Sequence, residues 1–326
     1  MSVDIFKGYV DEELPNDIDL VKEINLLKKQ KNAVIMAHYY TSGEVQDIAD
    51  IVGDSLALSQ QAVNSNADII LLAGVHFMAE TAKVLSPDKK ILIPDLNAGC
   101  SLADSCKQED FMRFKELYPG YKVVSYVNTS VGIKALTDVA CTSSNALQIM
   151  ESFSKDDKLI FAPDRNLGNY IKKMTGREDI ILWDGACHVH EEFSLEKIIE
   201  LKKNYPEAKV VAHPECKQVV LLTADFIGST AAILDFCASD SATEYIVATE
   251  SGILHQLKKS LPLKTFYAAP PMDSTCGCND CNYMKLNTLK KIYLTLKYEL
   301  PFIEIDEQTR VNAENSIKAM LKFTSK

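Results

Sequence analysis

The feature that most restricts what this chain can fold into is that one pattern is written three times, at a spacing of about 87 residues. Each unit opens on an apolar run with strand character: AVIMAHYY from Ala33, KVVSYVN from Lys122 and KVVAHPE from Lys209. These runs reach the anchors His38, Tyr126 and His213, which are 88 and 87 residues apart. Seventeen residues beyond each anchor lies a small polar triplet, GDS at 53–55, TSS at 142–144 and GST at 228–230. An apolar stretch follows each triplet, so Asp, Ser and Thr stand where helix N-caps belong. A second strand then reaches Gly74, Ala162 or Ala248, 35 or 36 residues from the anchor. The third strand reads KILIPDLNAGC, DIILWDGAC and KTFYAAPPMDSTCGCNDC, so every unit finishes a strand and then supplies cysteine.

Strands alternating with short helices predict βαβ units and parallel sheets covered on both faces. The expected architecture is α/β, with three pseudo-symmetric three-layer αβα domains around a central site. The boundaries expected are 1–102 plus 283–326, 103–188 and 189–282. A first helix is expected from Asn16 to Lys31 with Leu20, Val21, Ile24 and Leu27 on one face. A last helix from Tyr283 carries Leu289, Ile292, Tyr293 and Leu296, and a shorter one carries Ile317, Met320 and Leu321; both chain ends are expected to complete the first domain. In open parallel sheets ligands bind beyond the carboxyl ends of the strands, where all the marked residues lie. Three such ends turned inward would bring three distant cysteines to one point.

Composition narrows the chemistry. A formal net charge of −10 disfavours nucleic acid, whose phosphates reward clustered Lys and Arg. No apolar run approaches the ~18 residues of a membrane span, and the acidic opening MSVDIFKGYVDEELP is unlike a secretion signal, so a cytoplasmic chain is expected. Nine cysteines, an odd number, argue against a disulfide framework and for metal or redox chemistry. Cys106, Cys141, Cys216 and Cys237 read as small core residues, whereas Cys100 and Cys187 share a repeat position and read as ligands. Within CGCNDC the third ligand stays open among Cys276, Cys278 and Cys281. A three-thiolate set suits a 4Fe-4S cluster with one iron open to substrate better than it suits structural zinc, which takes a closed set of four.

The motifs AHYY, GVHFMAETAKVLSPDKK, YVNTS, CTSSNA, APDRNLG, DGACHVH, HPEC, GST and CNYMKLNTL, in this order, resemble the quinolinate synthase family over residues 17–320. The resemblance implies a three-domain cluster enzyme of NAD (pyridine nucleotide) biosynthesis. Its cluster ligands would fall on Cys100, Cys187 and Cys281, the last because it precedes NYMKLNTL. Where some members carry C-x-x-C-x-x-C this chain has C-x-C-x-x-C, leaving Cys276 and Cys278 as a redox pair or spare thiols. The implied reaction condenses iminoaspartate with dihydroxyacetone phosphate, releasing phosphate and two waters, and an iminoaspartate-generating oxidase or dehydrogenase would be the functional neighbour.

The residues expected on substrate oxygens are Ser55, Ser143, Ser229 and Thr230 at the three helix starts, whose free N–H groups attract anions. His38, Tyr40, Tyr126 and Asn128 match residues lining the family's pocket. Glu215 is expected as the main carboxylate base, Tyr40 as a phenolic acid or base, with Tyr126 beside it, and His190 and His213 orienting carboxylates. His76 and His255 are expected to be structural or surface groups and Lys83 a helix cation, while the DRN of APDRNLG resembles a fixed family motif that a loop-ordering ion pair around Asp164 and Arg165 explains equally well. An aconitase-type hydro-lyase and a non-catalytic zinc-binding protein are the competing readings.

Overall fold

The computed structural model describes residues 5–273 and 279–323. Among these, twelve strands form three parallel sheets of four. The first contains β1 (Ala33–His38), β2 (Ile51–Gly53), β3 (Ile69–Ala73) and β4 (Lys90–Leu92) in the order β2-β1-β3-β4. The second contains β5 (Lys122–Tyr126), β6 (Val139–Cys141), β7 (Leu159–Ala162) and β8 (Ile181–Leu182) in the order β6-β5-β7-β8. The third contains β9 (Lys209–Ala212), β10 (Phe226–Ile227), β11 (Glu244–Ala248) and β12 (Thr265–Ala268) in the order β10-β9-β11-β12. Helices flank each sheet, giving the α/β three-layer architecture that alternating strand and helix signals require.

The repeat is also one of register. Met36 lies opposite Ile51, Val124 opposite Val139 and Val211 opposite Phe226, a partner 15 residues on in every unit. One acid secures each of these edges. Asp50, Asp138 and Asp225 immediately precede the edge strands β2, β6 and β10. Their carboxylates accept the backbone N–H of Ile35, Val123 and Val210 at 2.8, 2.6 and 2.7 Å.

These edge strands are the first departure from the sequence reading, which expected three strands per unit. At two or three residues they are too short for alternation to show. The second departure is in the middle triplet. The helix Ser55–Asn64 is capped by Asp54, which accepts from Ala57 N–H, and Thr230–Ser239 by Ser229, which accepts from Ala232 N–H. The corresponding helix of the second unit, Ala146–Glu151, starts three positions later in the pattern. There Asn145 is the N-cap, but its Oδ1 accepts Thr142 N–H at 2.8 Å and tightens the TSS turn. A third difference is the first helix, Leu20–Gln30, which begins only where Asp19 caps Lys22 N–H. Of its apolar face Ile24 is buried while Val21 is 49% exposed.

The helix Glu307–Leu321, expected to be short, has 15 residues. It packs on both β6 and the helix His76–Leu85. Its Ser316 donates to Lys134 O at 2.9 Å, while Asn145 Nδ2 donates to Met320 O, so the C-terminus bonds the first two units together. One continuous apolar core runs from Met36 and Leu72 in the first unit to Val124 and Phe161 in the second. The third unit keeps its own cores on either face of its sheet, around Val210 and Ile246 and around Val211 and Tyr245. It meets the first through polar contacts, such as Gln46 Nε2 to Gly252 O and His255 Nε2 to Asp47. No helix among the described residues is long and apolar enough to cross a membrane.

Candidate active site

The carboxyl ends of β1, β5 and β9 face a common cavity. Its wall includes Cys100, Cys187 and Cys281, one from each unit. Each is the N-cap of a single helical turn: Ser101–Asp104, His188–Glu191 and Asn282–Lys285. Placed there, each sulfur has backbone N–H groups of the turn it opens nearby, Ala103 and Leu102 for Cys100, His190 for Cys187, Met284 and Tyr283 for Cys281, without a formed cap hydrogen bond. Such donors favour the thiolate.

Burial works against these donors and prevails at all three. It pushes Cys100 up to about 12, Cys187 well above the ordinary thiol range and Cys281 upward. The negative charge of Cys281 also opposes ionisation of Cys100, and that of Cys100 opposes Cys187, which places the sulfurs within electrostatic reach of one another. Three buried sulfurs that oppose one another's ionisation would be held as thiolates by a cation between them. This donor set fits a metal centre, and soft sulfur suits an iron-sulfur cofactor. Cys106, Cys141, Cys216 and Cys237 are buried in the cores, as expected. Cys276 and Cys278 lie outside the described residues.

Beside the cysteines stands an acid–base cluster drawn mostly from the third unit. Glu215 Oε2 lies 3.2 Å from His190 Nδ1 and 3.1 Å from His213 Nδ1, and the two imidazoles stack with centroids 4.7 Å apart. Burial disfavours the Glu215 charge, but the two imidazoles outweigh it and hold the carboxyl below its usual range. Burial in turn opposes the charge of His190 and pulls its value down to about 3, with Glu215 acting the other way. One ligand-type atom from each of Cys187, His190 and Glu215 falls within 4.8 Å of the others.

His213 Nε2 continues to Ser143 Oγ at 3.1 Å. In the first unit His38 Nδ1 accepts Tyr40 N–H at 3.2 Å, and burial holds the ring at about 3. Tyr40 OH is shared with Thr230 Oγ1 at 2.8 Å and Thr249 Oγ1 at 2.7 Å. Burial raises Tyr40 and Tyr126 well above the ordinary phenol range, so both keep their protons. Among the described residues Glu215 Oε1, His190 Nδ1 and Asn128 Oδ1 are buried without a hydrogen-bond partner. Unpartnered polar atoms converging on a cavity are what a polar ligand would satisfy.

The sequence-derived set therefore comes together. His38, Tyr40, Ser55, Tyr126, Asn128, Ser143, His190, His213, Glu215 and Thr230 all line the cavity with the three cysteines. Ser229 is outside this lining, its hydroxyl turned to cap Ala232 N–H at 3.2 Å. Asp164 and Arg165 do not pair. Arg165 reaches Asp184 and Glu191, while Asp164 is fully buried and accepts from Leu167 N–H and Cys187 N–H.

Sequence reading missed Thr249 and Glu250. Thr249 Oγ1 joins Tyr40 OH to His190 Nε2, 3.0 Å away. Glu250, pushed up to about 7 by burial, accepts from Cys281 N–H and pairs with Lys285, which in turn donates to Tyr40 O. Their signal was present: the repeat puts Asp164 and Glu250 two residues beyond the equivalent anchors Ala162 and Ala248.

Three α/β units enclosing one cavity, with three cysteines on its wall and an acid–base cluster beside them, define an enzyme of small-molecule chemistry whose site can hold a metal. Residues 22–322 match the family model described as NadA, quinolinate synthetase A protein. The chain is 54% identical over 310 residues to a quinolinate synthase of Thermosynechococcus vestitus, covering 95% of this chain and 97% of that one. It is 56% identical over 306 residues to one of Microcystis aeruginosa (94% and 95% covered), and 52% over 320 residues to one of Chloroherpeton thalassium (98% and 99%). The chain belongs to the quinolinate synthetase A family.

Proposed function

We propose that the protein condenses iminoaspartate with dihydroxyacetone phosphate into quinolinate, phosphate and two waters, acting as a transferase. The observation that carries this reading is the junction of three repeat-related cysteines with the Glu215, His190 and His213 cluster in one cavity. A 4Fe-4S cluster on Cys100, Cys187 and Cys281, with one iron lacking a protein ligand, would supply Lewis-acid chemistry toward a substrate hydroxyl or carboxylate.

The chain's own residues handle protons and position. Carbon–carbon bond formation, aldose–ketose interconversion, imine closure and final dehydration each move a proton. Glu215 Oε1, free of partners and held ionised, is the acceptor for a proton on substrate carbon. Tyr40 and Tyr126, protonated across the physiological range, donate toward departing or carbonyl oxygens. With Nδ1 of His38 accepting Tyr40 N–H, its proton resides on Nε2 as a neutral donor. Asn128, Ser55, Ser143 and Thr230 orient carboxylate and phosphate oxygens. His190 and His213 fix the Glu215 carboxylate and face the substrate carboxylates. Ser229 serves them indirectly, by capping the helix that presents Thr230. The three sheets form the cores of three domains at 1–102 plus 283–326, 103–188 and 189–282. Because the imine substrate hydrolyses readily, an oxidase or dehydrogenase acting on aspartate supplies it nearby.

The test is an anaerobic visible spectrum with iron and sulfide counts, followed by an assay for quinolinate from dihydroxyacetone phosphate and freshly generated iminoaspartate. Brown protein with about four irons that forms product supports the reading. Colourless zinc protein without product refutes it, and a cluster without product points to a hydro-lyase.

A further inference from the structure

The cysteines of the second and third units are held by a device that the proposed reaction does not call on. Asp164 follows β7 and Glu250 follows β11 at the same place in the repeat, and both side chains are fully buried. Each carboxylate gives one oxygen to each of two backbone N–H groups, and Glu250 Oε1 also takes Lys285 Nζ at 2.9 Å. One oxygen accepts the backbone N–H of its own unit's cysteine, Asp164 Oδ2 from Cys187 at 3.2 Å and Glu250 Oε1 from Cys281 at 3.0 Å. The other accepts an N–H where the next helix begins, Leu167 at 2.7 Å for Asp164 and Gly252 at 2.7 Å for Glu250.

The first unit does this differently. Its equivalent residue is His76, whose imidazole is half-exposed beside Glu80. Here the main chain makes the tie: His76 N–H donates to Ala98 O at 2.7 Å, two residues before Cys100.

We infer that Asp164 and Glu250 are repeat-related positioning residues, each fixing the backbone of one cluster cysteine so that its sulfur is aimed before the metal centre assembles. This rests on the reading that Cys100, Cys187 and Cys281 hold an iron-sulfur cluster. An N-cap alone is a weak reason to bury a carboxylate, since Ser or Asn provides it without a charge. A second N–H at the ligand itself accounts for a doubly accepting group in both units. Groups that orient metal ligands from behind typically change metal retention by about 10- to 100-fold when removed.

The experiment compares wild type with Asp164→Asn, Glu250→Gln and His76→Ala, all purified anaerobically. Two quantities are read: the rate of iron release to a chelator and the melting temperature of the cluster-free protein. A carboxamide has one acceptor oxygen, so each isosteric variant can serve the helix or the cysteine but not both. The expected result is iron release faster by about 10- to 100-fold in Asp164→Asn and Glu250→Gln. Their cluster-free melting is expected to match wild type, and His76→Ala is expected to release iron at the wild-type rate.

Wild-type release rates in both isosteric variants would overturn the inference. So would a matching acceleration in His76→Ala, or faster release accompanied by an equal loss of cluster-free stability, which would mark the carboxylates as general fold elements. Wild-type protein without iron would refute the cluster assignment itself, an outcome separate from all of these.

Discussion

Replacing His38 with Asn should flatten the acid side of the stability curve by an amount that the burial of this one ring fixes. In the fold His38 is neutral, pushed down to about 3 by burial and next by the charge of His213, against an ordinary value of 6.5. An unfolded chain therefore takes up a proton at this position below about pH 6.5 that the folded protein refuses. The ring's contribution is complete above that pH and is lost as pH falls toward 3. Between pH 7 and pH 5 the loss comes to about 2 kcal/mol, a substantial part of the roughly 5–15 kcal/mol that holds a typical domain together. Asn offers Oδ1 where Nδ1 accepts Tyr40 N–H, so the local bond survives while the titration disappears. His190, also near 3, loses stability over the same interval, and Glu250, raised to about 7, gains it as pH falls from 7 toward 4.5. Both are present in the two proteins and cancel in the difference. The assay is urea unfolding of wild type and His38→Asn at pH 7, 6 and 5, with extrapolated free energies compared. Parallel curves would refute the reasoning, because they would mean that His38 protonates as readily in the fold as in the unfolded chain.

Glu215→Gln should leave iron and sulfide contents unchanged and lower turnover by about 10²- to 10⁴-fold; undiminished turnover would remove Glu215 from proton transfer. Thr249→Val keeps the shape of the side chain but strips the hydroxyl between Tyr40 and His190, so kcat should fall roughly tenfold or more while the visible spectrum stays that of wild type. Cys281→Ala should yield protein without a cluster, whereas Cys106→Ala, in a core away from the cavity, should retain it; iron analysis of both decides.

What the sequence disclosed and what it withheld follow from how local each signal is. The central strands were legible because Ile69–Ala73 and Val123–Val124 are buried on both faces and read as unbroken apolar runs. The cysteine positions were legible because a thiolate donor has few substitutes and recurs after the last strand of each unit. The edge strands were not, since Phe226–Ile227 offers only two residues of pattern and depends on Asp225, whose bond to Val210 crosses 15 residues. The start of the helix at Ala146 was not legible because its N-cap, Asn145, depends on a turn closed at Thr142. Thr249 and Glu250 were overlooked because a threonine and a glutamate after a strand are ordinary in isolation. They gain meaning only when β11 brings them against Tyr40 of another unit and against Cys281.

The repeat also explains why a threefold scaffold can carry chemistry that has no threefold symmetry. At the positions ending in Cys100, Cys187 and Cys281 the three units agree, since each must present one sulfur from a helical turn. At the strand ends they diverge. The first anchors are His38, Tyr126 and His213, and the residues two further on are Tyr40, Asn128 and Glu215. Equivalent backbone sites thus place a phenol, an amide and a carboxylate on three sides of one cavity. A condensation that removes a proton at one carbon and protonates an oxygen at another needs unlike groups facing each other across the substrate. Three identical strand ends would supply only acids or only bases. Side chains entering the cavity differ from unit to unit, while the Asp50, Asp138 and Asp225 edge bonds stay the same in every unit. The scaffold can therefore remain symmetric while the site becomes directional.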